Sequence, residues 1–176
     1  STGGVEVRQF GLPTDIPVAE DYDGDLKADF GIFRPSTGTW FYLRSSDSSF
    51  NSTQFGGPGD IPVPGDFDAD GLADLTVYRP STGVWYSLRS SDGQVKIVPF
   101  GGGNDQPTPS DYDGDGIYDI AVFRPSTGEW HRLNSSNGQY SVVQFGVSSD
   151  LPAYGDFDGD LKTDIAIYRP SNGLWY

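Results

Sequence analysis

Sixteen aspartates stand in four sets of identical spacing. The first set is Asp21, Asp23, Asp25 and Asp29, and the second is Asp66, Asp68, Asp70 and Asp74. The third is Asp111, Asp113, Asp115 and Asp119, and the fourth is Asp156, Asp158, Asp160 and Asp164. Counted from the first aspartate, each set fills loop positions 1, 3, 5 and 9. Alternate carboxylates in a tight loop converge on one point, where they repel one another and call for a cation. Ca²⁺ takes about six to eight hard oxygen ligands from carboxylates, carbonyls and water. Position 7 can add a backbone carbonyl, from Lys27, Leu72, Ile117 or Lys162, whose side chains need not match. Glycines at position 4 or 6 (Gly24, Gly71, Gly114, Gly116, Gly159) permit the sharp turn. The expectation is four Ca²⁺ sites, one per set. Four divalent ions add eight positive charges and would bring the formal charge from −14 to −6.

Other metals fit these loops less well. An EF-hand needs a bidentate Glu at position 12, and that position here is Ile32, Val77, Val122 or Ile167. Mg²⁺ prefers to keep several waters. Zn²⁺ wants His or Cys, and the chain has one histidine, His131, and no cysteine.

The loops belong to a 45-residue repeat. Arg34, Arg79, Arg124 and Arg169 keep the same spacing, as do Trp40, Trp85, Trp130 and Trp175, and Phe10, Phe55, Phe100 and Phe145. One unit predicts four short strands: Ile16 to Glu20, Asp29 to Arg34, Thr39 to Arg44 and Phe50 to Phe55. Gly and Pro bound them, and such even, aromatic-rich strands are the signature of propellers and related all-β folds. Pro17, Pro62, Pro107 and Pro152 fall in the first strand of each unit. Proline cannot donate to a ladder, so this strand belongs at a sheet edge, facing a central channel.

The predicted fold is therefore one all-β domain over residues 1–176, a β-propeller of four four-stranded blades. The blades cover residues 12–56, 57–101, 102–146, and 147–176 with 1–11. Val5 to Phe10 forms the missing fourth strand of the last blade, and two arrangements satisfy it. It closes the ring within one chain, or it completes a neighbouring chain and builds a homo-oligomer, a larger ring or a filament.

Composition narrows the function. Eleven Lys and Arg with no basic stripe argue against nucleic acid. No apolar run reaches the length of a membrane helix, and the absence of cysteine excludes disulfides and thiolate metal sites. Methionine is absent, position 1 included, so Ser1 reads as a processed, excised or tagged start.

The run DYDGDLKADFGIFRPSTGTW, with QFG upstream of the next unit, resembles the FG-GAP/VCBS-type repeats of integrin α-like propellers and many secreted bacterial proteins. The resemblance spans essentially the whole chain. It implies propeller blades with Ca²⁺ between the first and second strands, and an extracellular or cell-surface setting. Family members commonly have seven blades, whereas four repeats stand here.

The tryptophans have two readings. They pack between blades, or Trp40, Trp85, Trp130 and Trp175 form a ring of lectin-like platforms for sugar, with avidity from repetition. His131 replaces the aromatic residue of its frame and reads as a surface or strand-face residue with no nucleophile beside it. Asn51 and Asn134 match the N-glycosylation acceptor pattern. The expected function is a non-catalytic adhesion or recognition propeller, with glycans or a cell-surface protein as partner. The alternatives are a polymerising structural subunit and an accessory domain of a larger secreted protein.

Overall fold

The computed structural model describes residues 7–176. The chain is an all-β propeller of four blades, each a small antiparallel sheet. Blade 1 comprises β1 (Ile16–Pro17), β2 (Phe30–Arg34), β3 (Thr39–Leu43) and β4 (Phe50–Gln54). Blade 2 comprises β5 (Ile61–Pro62), β6 (Leu75–Arg79), β7 (Val84–Leu88) and β8 (Val95–Pro99). Blade 3 comprises β9 (Gln106–Pro107), β10 (Ile120–Arg124), β11 (Glu129–Leu133) and β12 (Tyr140–Gln144). Blade 4 comprises β13 (Leu151–Gly155), β14 (Asp164–Arg169) and β15 (Leu174–Trp175).

Each sheet runs in sequence order, so the proline-bearing strands β1, β5, β9 and β13 are edge strands. Pro17, Pro62, Pro107 and Pro152 pair opposite Ile32, Val77, Val122 and Ile167. In the first three blades this edge strand is two residues long, shorter than the repeat predicts, and beyond it Val18, Val63 and Thr108 still donate their N–H to the carbonyls of Gly31, Thr76 and Ala121 at 2.8 to 2.9 Å.

Each middle hairpin turns at Gly38, Gly83 or Gly128, all with positive φ. A Cβ there would lie 2.3, 2.5 or 2.2 Å from the carbonyl oxygen of Gly56, Gly101 or Gly146. Only glycine fits that approach. It lets Phe55, Phe100 and Phe145 donate their N–H to the turn glycine's carbonyl at 2.8 to 2.9 Å.

The core lies between blades. One cluster joins Phe33 and Trp40 of blade 1 to Leu75 and Val77 of blade 2. A second joins Tyr78 and Trp85 to Val122, and a third joins Phe123 and Trp130 to Ile167. Hydrogen bonds cross the same seams: Ala73, Tyr118 and Thr163 donate their N–H to the carbonyls of Asp21, Asp66 and Asp111 at 2.7 to 2.8 Å. The first residue of each of the first three acidic loops is thus also a blade-to-blade joint.

The last blade departs from the repeat. Of its predicted fourth strand, Val5 and Glu6 lie outside the described residues, and Val7 to Phe10 belong to no strand. The predicted latch is therefore not among the pairings of the described residues, and the sheet of blade 4 has three strands there.

Candidate metal sites

Each acidic loop bends tightly because positions 4 and 6 are both left-handed. This holds for Gly24 and Leu26, Ala69 and Gly71, Gly114 and Gly116, and Gly159 and Leu161, with φ from 64° to 86°. The bend wraps the chain around the aspartate at position 1. Asp21, Asp66, Asp111 and Asp156 each accept the N–H of positions 4 and 6 at 2.6 to 3.0 Å.

Three carboxylates converge in every loop, each offering one oxygen within 4.8 Å of the others. The groups are Asp21, Asp23 and Asp29; Asp66, Asp68 and Asp70; Asp111, Asp113 and Asp115; and Asp156, Asp158 and Asp164. Positions 1 and 3 are common to all four, with position 5 or 9 as the third. At position 7, Lys27, Leu72, Ile117 and Lys162 place their backbone N–H on the position-5 carboxylate at 2.8 to 2.9 Å.

Position 9 also has a structural duty. Asp29, Asp74 and Asp119 are fully buried. One oxygen of each accepts the N–H of Tyr22, Phe67 or Tyr112 at 2.9 to 3.0 Å. The other accepts the N–H of Ser45, Ser90 or Ser135, in the turn between the third and fourth strands, at 2.6 to 2.7 Å. The loop is thereby stapled to the outer half of its own blade. Burial nevertheless pushes the Asp74 and Asp119 carboxyls above the usual carboxylate range.

Those turns supply partners for the acidic loops that the aspartate spacing alone does not suggest. Ser46, Ser91 and Ser136 donate hydroxyls to Asp23, Asp68 and Asp113 at 2.6 Å. Ser45, Ser90 and Ser135 donate to Asp25, Asp70 and Asp115 at 2.8 to 2.9 Å. The Ser45 hydroxyl, together with Lys27, holds Asp25 below the usual carboxylate range. These serine pairs also recur every 45 residues, which is the signal that marks them.

Whether a cation fits is answered by what the donors leave over. One oxygen of Asp68 and one of Asp113 are buried without a hydrogen-bond partner. A buried, unpaired carboxylate oxygen is costly, and both sit in the carboxylate groups described above. A hard cation among the three carboxylates would satisfy them and offset their mutual repulsion.

A second set of aspartates emerges from the fold. Asp15, Asp60, Asp105 and Asp150 also keep the 45-residue spacing. Each forms a two-pronged pair with the arginine 19 residues on: Arg34, Arg79, Arg124 or Arg169, at 2.8 to 3.0 Å. Three of the arginines also lie over an aromatic ring, of Phe41, Tyr86 or Tyr176.

The lectin-like platform is corrected for three of its four tryptophans. Trp40, Trp85 and Trp130 are at most 1% exposed. Their indole N–H groups donate to the carbonyls of Phe55, Phe100 and Phe145 at 2.8 to 2.9 Å. These rings are inter-blade core, with no face left for a sugar. Trp175 alone is exposed, at 65%.

His131 lies buried on β11, its Nδ1 2.7 Å from the Tyr140 hydroxyl, and burial lowers its pKa. Of the two glycosylation triplets, Asn51 pairs opposite Tyr42 and buries its side-chain nitrogen, the atom a glycan would need. Asn134 is half-buried in the turn after β11.

Comparison with known proteins adds the fold. No family model matches the chain, and no curated protein matches it. Among solved structures, the chain is similar to BBS1N in complex with ARL6DN, with a TM-score of 0.60 and 12% identity over 94% of this chain and 52% of that one. It is also similar to TolB from Acinetobacter baumannii, with a TM-score of 0.55 and 17% identity over 92% of this chain and 43% of that one. The chain spans about half the length of the solved structures it matches, and at these identities the likeness is one of propeller fold.

Proposed function

We propose that the chain is a non-catalytic recognition or adhesion module of the FG-GAP/VCBS type, working outside the cell and stabilised by four Ca²⁺ ions. The observation that carries this reading is the recurrence of one carboxylate cup in all four blades, with buried unpartnered oxygens at Asp68 and Asp113. All-oxygen donors favour a hard cation, and extracellular modules bind Ca²⁺ at roughly 10⁻⁴ to 10⁻³ M, matching calcium-rich surroundings.

The location of the cups gives the metal its role. Position 1 of three loops bonds the next blade through its carbonyl, and position 9 staples the loop to its own outer turn. Ca²⁺ at this junction would hold blades to one another and leave the rest of the surface for a partner. The buried tryptophans lend sugar binding no support, so the reading favours a protein or other surface partner over a four-fold lectin. Isothermal titration with Ca²⁺ into chelator-treated protein tests the metal. Four sites with a rise in Tm are expected; an unchanged Tm with no heat of binding would overturn the reading.

A further inference from the structure

One row of side chains crosses each of the first three blades from its second strand to its fourth. The row is Gly31, Tyr42 and Asn51 in blade 1, and Ala121, Arg132 and Ser141 in blade 3. In blade 2 it is Thr76, Ser87 and Lys96. Residues directly opposite in a ladder share one face, so the middle residue of each row meets the aromatic ring at position 2 of its acidic loop. Tyr42 stacks on Tyr22, with centroids 4.7 Å apart and planes at 26°. Arg132 lays its guanidinium over Tyr112, 5.3 Å from the ring centre. Phe67 is the third such ring, and Ser87 is too short to cover it. Its ring contacts, with Trp85 and Tyr118, are both edge-on.

A cavity of about 190 Å³ takes the place of the missing side chain, between blades 2 and 3. Phe67, Trp85, Val98, Tyr118 and Ile120 wall it. Thr76 and Ser87 also line it, at 1% and 6% exposed. The Thr76 hydroxyl donates to that of Ser87 at 2.7 Å. The Ser87 proton is then free for another acceptor, in surroundings where an unpaired hydroxyl is costly. Lys96 lines the open side and is exposed.

We propose that this cavity is a binding site for a small single-ring phenol. The repeat identifies the occupant, because blades 1 and 3 fill the same slot with a flat group laid on the aromatic face, and in blade 1 that group is itself a phenol. Size agrees, since an apolar cavity of about 150 Å³ already admits benzene. The ring of the ligand takes the place of Tyr42 on Phe67, and its oxygen accepts the Ser87 proton. None of the acidic-loop aspartates lines the cavity, so this inference goes beyond the metal-stabilised recognition reading and stands without it.

NMR of the indole N–H groups, with phenol titrated into the full chain in saturating Ca²⁺, tests it. The Trp85 resonance should shift and saturate with a dissociation constant of about 1 mM or below, within what so small a ligand can supply. Those of Trp40 and Trp130, outside the cavity, should stay in place. Ser87→Ala removes the hydroxyl and should weaken phenol about two- to tenfold. Thr76→Ala with Ser87→Arg copies the Ala121 and Arg132 pair of blade 3, refills the slot and should leave no saturable shift. Absence of saturation in the wild type up to about 10 mM phenol overturns the proposal. So do equal shifts at all three buried tryptophans, or undiminished binding to a refilled variant whose circular dichroism matches wild type. If that variant folds poorly, Ser87→Ala decides, and an unchanged phenol affinity there overturns the proposal.

Discussion

Arg34 closes on Asp15 through two hydrogen bonds of 3.0 and 2.9 Å, 19 residues apart in sequence. The same clamp recurs in every blade, tying the linker that enters the blade to the end of its second strand. The guanidinium holds the Asp15 carboxyl below its ordinary value of 3.8, and Arg169 does the same for Asp150.

These shifts set a pH profile. A lowered carboxyl pKa contributes stability above the unfolded value, and that stability is lost as pH falls through the folded value. Asp74, Asp119 and Glu20 act oppositely, since burial raises them. Their contribution is present below the unfolded value and fades as pH rises through the folded one. In chelator, the melting temperature should therefore rise slightly from pH 7 towards about 5, then fall below about 4 as the clamps protonate. Thermal melts across that range check it, and a monotonic rise into acid would show that the clamps are not stabilising.

Trp85 is fully packed between blades 2 and 3 and donates to the Phe100 carbonyl at 2.9 Å. Truncation to alanine should cost about 3–5 kcal/mol, the usual loss for a buried aromatic. Trp85→Phe keeps most of the volume and strands the carbonyl, so it should cost about 1–3 kcal/mol. Denaturant unfolding gives both values. A cost below about 0.5 kcal/mol for the alanine variant would return Trp85 to the surface.

The blade order, the edge placement of the prolines and the convergence of the aspartates were legible because each follows from spacing. Residues 45 apart must occupy like positions, and proline must sit at an edge. The Asp60–Arg79 clamp was half legible: the arginine's recurrence marks a like position in every blade, but its partner lies 19 residues upstream, across a linker whose path no local pattern fixes. The Ser90 and Ser91 contacts with the loop were hidden for a similar reason. They depend on how far the outer turn folds back over the loop, a tertiary distance. Periodicity also extends a pattern to the chain's ends without regard to neighbours. It predicted strand pairing for Val7 to Phe10, where the structure has none.

Leu26 and Leu161 stand at position 6 with φ of 64° and 67°, where the other two loops carry glycine. Both side chains are exposed, so packing offers little compensation. A left-handed conformation costs a non-glycine residue roughly 1–2 kcal/mol, while glycine loses about 0.5–1 kcal/mol in chain entropy. Leu161→Gly should therefore stabilise the protein by roughly 0.5–1 kcal/mol. Gly159→Ala, at φ of 85° in the same loop, should move stability the other way. Equilibrium unfolding of the two variants would reveal any failure of the signs to oppose.

Asp113→Asn separates the metal's contribution from that of the carboxylates. The Asp113 oxygen without a partner is buried beside Asp111 and Asp115, so its charge costs stability when no cation is present. Removing that charge should leave the variant as stable as wild type in chelator, or more so. In Ca²⁺ the order should reverse, because one of the four proposed sites is lost. At a free concentration 100 times the dissociation constant, each site that binds only the folded state contributes about 2.7 kcal/mol, and the variant should lack roughly that amount. Calorimetry should count three ions in place of four. Paired melts in Ca²⁺ and in chelator decide the matter: a variant at least as stable as wild type in both would give Asp113 no part in holding a metal, and one less stable by the same amount in both would mean that Asp113 stabilises the loop through its hydrogen bond to Ser136.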